Sequence, residues 1–152
     1  ADKLAAHAER DRARGAAPPK ALVHGDVFRN NVLWKDGHMA AVLDFESASL
    51  GSVTFDLCVT MLAWCYGDTL ERPLARALLR GYLAHRPLTP EDRERLHDDA
   101  VFAALRFSIT RITDYELRPQ GTGIYKNYRR FLGRLAAIEN LGQRGIEEFL
   151  AI

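Results

Sequence analysis

The sequence predicts a mainly helical α+β domain whose one clear β feature is a small hairpin in its first third. Three observations carry this expectation. Apolar residues recur at helical spacing through most of the chain beyond residue 54. Alternation of apolar and polar residues is confined to residues 31–43. Helix start and stop signals, such as Thr89 before Pro90, punctuate the remainder.

Taken in order, Leu4 to Arg14 is rich in Ala, Glu and Arg and reads as a helix stopped by Gly15 and Pro18-Pro19, with Arg10, Arg12 and Arg14 on its solvated face. Ala21 to Val23 reads as a short strand that leaves through a tight turn carrying Asp26. Asn31 to Lys35 and Met39 to Leu43 alternate on either side of Asp36-Gly37, a pair in which both residues tolerate positive φ, so the segment reads as a two-residue hairpin. Thr54 to Tyr66 is an apolar helix with Thr54 as its N-cap and Leu57, Met61 and Trp64 toward the core. Pro73 to His85 forms the next helix, ended near Pro87. Thr89 caps a long helix that starts at Pro90 and runs to about Arg118, closed by Pro119. Tyr125 to Asn140 is amphipathic and is followed by Gly142 and a short last helix from Ile146. Within it, Lys126, Arg129, Arg130 and Arg134 read as the wet side. Trp34 and Trp64 are assigned to core packing, and His7, His38, His85 and His97, which lack ligand spacing, to surface or capping roles.

A chain of 152 residues, 47% hydrophobic and 27% charged, can bury a real core in one domain. Twenty-one basic against twenty acidic side chains leave a net charge of +1, so no global field draws the chain to nucleic acid or to an anionic membrane. No apolar run approaches the roughly 20 residues that span a bilayer, and no signal peptide is visible; a cytoplasmic protein is expected. Cys58 and Cys65 sit seven apart on one predicted helix, about 10 Å along its axis, too far to pair. They read as buried thiols.

The stretch from Leu22 to Trp34, followed by Val42 to Glu46, concentrates the chemistry. An aspartate, Asp26, is followed five residues later by Asn31, and a second carboxylate, Asp44, returns beyond the hairpin. With Asp36 and Gly37 as a two-residue turn, Asn31 faces Val42 and Arg29 faces Asp44, which leaves Asn31 and Asp44 as diagonal neighbours about 7 Å apart. An amide oxygen and a carboxylate at that separation suit a hydrated magnesium ion, and Asp26 is placed to take a proton from an attacking hydroxyl. One base and two metal ligands at this spacing fit phosphoryl transfer.

His24-Gly25-Asp26 with Asn31 resembles the catalytic loop of the aminoglycoside-phosphotransferase-like small-molecule kinases, relatives of the protein kinases. Asp44-Phe45-Glu46 is similar to the metal-binding motif of that superfamily, and Asp56 in residues 53–58 matches an aspartate with which it braces the catalytic loop. Segments 62–65, 81–83, 86–89, 104–107 and 110–114 bring the likeness closest to type II homoserine kinases. The resemblance implies a protein-kinase-like C-terminal lobe with Asp26 as catalytic base or as the group that orients the acceptor hydroxyl, Asn31 and Asp44 as magnesium ligands on the phosphates of ATP, and His24 packed beneath the metal loop. Glu46 is either an outer metal ligand or a structural acid. On the long helix, Arg106, Arg111 and Asp114 interrupt the apolar spacing of Val101, Leu105, Ser108, Ile112 and Tyr115. Arg111 and Asp114 form either an intrahelical ion pair or a clamp for the carboxylate and ammonium of an amino acid.

No glycine-rich phosphate loop or strand lysine precedes the catalytic loop; the clustered glycines are Gly121 and Gly123. The chain begins at Ala1 without methionine. Residues 1–152 are therefore expected to be the C-terminal catalytic and substrate lobe, with the N-terminal nucleotide lobe of the same protein as its partner, and by itself the lobe is not expected to phosphorylate efficiently. The other expected partner is a small-molecule hydroxyl acceptor, homoserine before an aminoglycoside, a choline-like alcohol or a sugar. A homodimer is an open assembly, and a noncatalytic binding or regulatory domain is the reading from a different class.

Overall fold

The computed structural model describes residues 2–13, 20–118 and 125–152. The stops expected at Gly15 and Pro18-Pro19, the closure at Pro119 and the pair Gly121 and Gly123 lie outside the described residues. Within them the chain is mainly helical with two short antiparallel ribbons. Helix α1 spans Asp2–Ala13, strand β1 Lys20–Val23, strands β2 and β3 Val32–Lys35 and His38–Val42, and strand β4 Ser49–Ser52. Four longer segments follow: α2 Val53–Trp64, α3 Arg72–Leu83, α4 Pro90–Arg111 and α5 Arg129–Leu150. Gly142, at φ 65° and ψ −177°, breaks α5 where the sequence predicts a stop.

The core lies where α4 packs against α2 and α5. Ala100, Ala103 and Ala104 let the neighbouring helices approach α4 closely, and Leu62, Leu96, Phe131 and Ile138 fill the space between. At the start of α4 the Thr89 hydroxyl accepts from the Asp92 amide and the Asp92 carboxylate accepts from the Thr89 amide, a reciprocal capping box behind Pro90. Cys58 and Cys65 are buried and free, and burial pushes the Cys65 thiol up to about 11. Among the described residues no helix is long and apolar enough to cross a membrane.

Several local expectations are corrected. Ser52, not Thr54, caps α2: its oxygen accepts from the Phe55 amide at 3.4 Å. Thr54 is fully buried because Asp99 of α4 needs donors, and both Thr54 and Ser52 supply their hydroxyls to its Oδ2. Arg10 reaches Asp98 at 3.3 Å rather than only water. The helix starting at Pro90 does not run regularly to Arg118; from Ile112 to Glu116 it widens into a π turn, with the Leu117 amide donating to the Ile112 carbonyl at 3.0 Å.

The helix expected from Tyr125 starts at Arg129, later than the sequence suggests. Lys126 is therefore not on a helix, and Arg134, 6% exposed, is not on its wet side. Its Nε donates to the Leu62 carbonyl at the end of α2, and its guanidinium lies 4.6 Å from the Phe131 ring centre. Trp34 is 57% exposed, resting against Trp64 with ring centres 6.3 Å apart, so only Trp64 packs inward. His7 stacks on Phe102, and His97 bonds the Ile138 carbonyl.

Candidate active site

The hairpin forms around the predicted turn, with φ 50° at Asp36 and 77° at Gly37. Its register is not the predicted one. Lys35 pairs with His38 and Trp34 with Met39, but Leu33 then pairs with Ala41 and Val32 with Val42. Ala40 is the extra residue of a bulge. Val32, not Asn31, faces Val42, and Arg29 does not face Asp44. Asn31 leaves the ladder for a 3-10 turn over Arg29–Asn31, while its carbonyl still accepts from the Leu43 amide at 2.8 Å.

This turn swings the Asn31 side chain back to Asp26. Asn31 Nδ2 donates to the Asp26 carbonyl at 2.8 Å and to its carboxylate at 3.0 Å, and Oδ1 accepts from Asn30 Nδ2 at 2.6 Å. The amide orientation follows from this network. Burial raises the Asp26 carboxyl above its ordinary value, against the Asn31 hydrogen bond and the charges of Arg106 and Lys126; the nearby Asp44 carboxylate adds to the rise. A carboxylate raised in this way is a better proton acceptor.

The loop bearing Asp26 is held from below. Asp56, in the first turn of α2, accepts from the Gly25 amide at 2.7 Å and from the His24 amide at 3.2 Å. Gly25 has φ 75°, and an added Cβ would lie 3.3 Å from the Ser47 carbonyl, so glycine is needed there. His24 is buried; its Nδ1 accepts from the Asp26 amide at 3.2 Å, which leaves Nε2 to donate to the Leu43 carbonyl at 2.8 Å. Its ring also packs 4.6 Å from that of Phe45. One imidazole thus ties the loop to the end of β3. Arg106 Nη1 donates to the Gly25 carbonyl at 2.8 Å and its guanidinium lies 5.0 Å from the Phe107 ring centre.

Asp44 sits in the left-handed region, φ 65° and ψ 61°, and turns the chain into the 3-10 turn Phe45–Ser47. That places Asp44 and exposed Glu46 on the wall of a cavity of about 370 Å³ with Asp26. The Asp44 and Glu46 carboxylates are hard donors of the kind a hydrated divalent cation takes, whereas Asn31 is buried behind the wall, its Oδ1 accepting from Asn30, the amide side chain that lines the cavity. Among the described residues no three His, Cys, Asp or Glu side chains form a closed metal cage, so phosphate or water oxygens would complete such a coordination shell. The donor set fits an open magnesium site.

The same cavity brings in Arg106, Arg111 and Asp114. The π turn keeps Asp114 and Tyr115 on its wall. Arg111 lies 4.4 Å from the Phe131 ring centre and donates to the Asn127 carbonyl at 3.1 Å; burial lowers its pKa. The Asp114 carboxylate accepts from the Thr113 hydroxyl at 3.1 Å and lies 3.9 Å from Arg118. The sequence reading missed Lys126, Thr110 and Tyr115, which also line the cavity. Only the departure of Tyr115 from regular helical geometry places it there, and no local signal separates Lys126 from the basic run that follows it.

The profile of the phosphotransferase enzyme family matches residues 1–98. A homoserine kinase of Caulobacter sp. (strain K31) is 39% identical over 106 residues, covering 68% of this chain and 33% of the relative. A homoserine kinase of Chelativorans sp. (strain BNC1) is 34% identical over 135 residues, covering 85% of this chain and 42% of the relative. One from Gluconacetobacter diazotrophicus is 31% identical over 134 residues, with 84% and 42% covered. The chain thus spans between a third and about two fifths of the length of these curated relatives.

Proposed function

This chain belongs to the phosphotransferase enzyme family, and we propose that it forms the C-terminal, acceptor-side lobe of a protein-kinase-like enzyme that phosphorylates the hydroxyl of homoserine. The donor is ATP. The observation that carries this reading is Asp26, bonded to Asn31, on the wall of a cavity that Asp44, Arg111 and Asp114 also line.

In this reading Asp26 takes the proton of the acceptor hydroxyl as its oxygen attacks the γ-phosphorus and the bond to the nucleotide's bridging oxygen breaks. Asn31 fixes the direction of the Asp26 carboxylate, which is worth much in a reaction governed by positioning. Asp44 would hold magnesium, with Glu46 and the remaining lone pair of Asn31 Oδ1 as further oxygens; the ion would supply charge neutralisation on the phosphates. Arg111 binds the α-carboxylate of the acceptor and Asp114 its α-ammonium, which turns the side-chain hydroxyl toward Asp26. The printed names of the relatives support homoserine.

The exposed apolar side chains of Leu22, Leu33, Met39 and Leu50 on the two ribbons, and of Phe45 in the turn between them, support a further lobe of the same protein as their cover. ATP consumption by the intact protein with magnesium, against homoserine, an aminoglycoside, choline and sugars, is the test. Turnover with homoserine that falls at least 10²-fold in Asp26→Asn, with nucleotide affinity kept, is the expected result. Turnover confined to another alcohol removes homoserine, and none with any acceptor removes the kinase reading.

A further inference from the structure

Lys126 stands outside every role described so far. It precedes α5 by three residues, is exposed, and lines the cavity that holds Asp26, Asp44 and Glu46. Its charge acts on Asp26 together with that of Arg106. The two cations differ in freedom. Arg106 is tied to the Gly25 carbonyl and lies against Phe107, so it belongs to the scaffold of the loop. None of the hydrogen bonds or ion pairs among the described residues engages the Lys126 ammonium. Lys126 is also bonded through the chain to Asn127, whose carbonyl holds the Arg111 guanidinium. Lys126 therefore shares one cavity with Arg111 and with the carboxylates of Asp26, Asp44 and Glu46.

We propose that Lys126 contacts the phosphoryl group in transit and neutralises its oxygens while the acceptor oxygen replaces the nucleotide's bridging oxygen. The proposal rests on the phosphotransferase reading above. Four carboxylates line the cavity, Asp26, Asp44, Glu46 and Asp114, and a transferring phosphoryl group would bring further negative charge among them. An ammonium with no hydrogen bond or ion pair among the described residues keeps its donors for that charge, and on a flexible stem it can follow the group as it moves. Arg111, half-buried and fixed against Phe131, cannot follow it and is left to the acceptor's own carboxylate.

The test uses the intact protein and the variants Lys126→Ala, Lys126→Arg and Asp26→Asn, with steady-state kinetics and calorimetric titration of the acceptor and of its phosphorylated product. Lys126→Ala is expected to lower kcat about 10²-fold with acceptor KM within twofold. It should weaken binding of the phosphorylated product at least tenfold while leaving the unphosphorylated acceptor within twofold. Lys126→Arg should retain most of both. An equal loss for acceptor and product would move Lys126 to the acceptor carboxylate and overturn the proposal, as would unchanged kinetics. A wild-type protein without turnover fails the phosphotransferase reading itself, whereas turnover lost in Asp26→Asn and kept in Lys126→Ala fails this proposal alone.

Discussion

Replacing Asp56 by asparagine probes how rigidly the Asp26 loop is held. The wild-type carboxylate accepts two backbone hydrogen bonds, from Gly25 at 2.7 Å and His24 at 3.2 Å. Hydrogen bonds to a charged group contribute about 1.5–3 kcal/mol each, against about 1 kcal/mol for neutral ones. Asparagine keeps one acceptor oxygen, now neutral, and turns its NH2 group toward the other backbone N–H. The variant therefore loses the longer bond and weakens the shorter, a sum of about 2–5 kcal/mol. Spent wholly on opening the loop, that energy raises the exchange of the Gly25 and His24 amide protons at least about 30-fold. Hydrogen exchange reads this without reference to activity, and a urea midpoint shows whether the rest of the protein stays folded. Turnover should fall by a comparable factor, because Asp26 lies one residue beyond Gly25 and its amide donates to the His24 ring. Asp56→Ala should be worse on both readouts, since it leaves both amides without an acceptor. Exchange and turnover within threefold of wild type in Asp56→Asn would show that Asp56 does not set the geometry of the loop.

Two further outcomes follow from the same geometry. Arg111→Ala should raise acceptor KM about 30-fold or more, as expected for losing a half-buried charged partner, with nucleotide affinity unchanged; an unaltered KM would remove Arg111 from acceptor binding. Burial raises the Asp99 carboxyl above its unfolded value despite the hydroxyls of Thr54 and Ser52. Between the unfolded and folded pKa the native state therefore holds a proton that the unfolded state has released, and stability falls as pH rises through the folded pKa. Asn at position 99 can offer its amide oxygen to both hydroxyls without a charge to desolvate. The stability of Asp99→Asn relative to wild type should therefore grow between pH 4 and pH 7, read from urea midpoints; a difference independent of pH would refute the assignment.

Much of this protein is written locally in its sequence. Asp36-Gly37 determines the hairpin turn because few residue pairs accept two positive φ angles in succession, and both take them here. Thr89, Pro90 and Asp92 determine where α4 begins because a capping box needs only neighbours within one turn. The spacing of Asp26, Asn31 and Asp44 likewise announces chemistry before any coordinate is known. Other features depend on contacts that no local pattern contains. Ala40 bulges out of the ladder, so Asn31 reaches Asp26 from a 3-10 turn rather than facing across a strand from Val42. Thr54 gives up the cap of α2 because Asp99, 45 residues later, is buried against it and requires its hydroxyl. The π turn after Arg111 and the approach of residues 125–127 bring Arg111, Asp114, Tyr115 and Lys126 to one cavity. Backbone torsions and caps are decided over a few residues and can be read from them. Which charged side chain meets which, and across what distance, is settled only when α2, α4 and α5 close on a shared core.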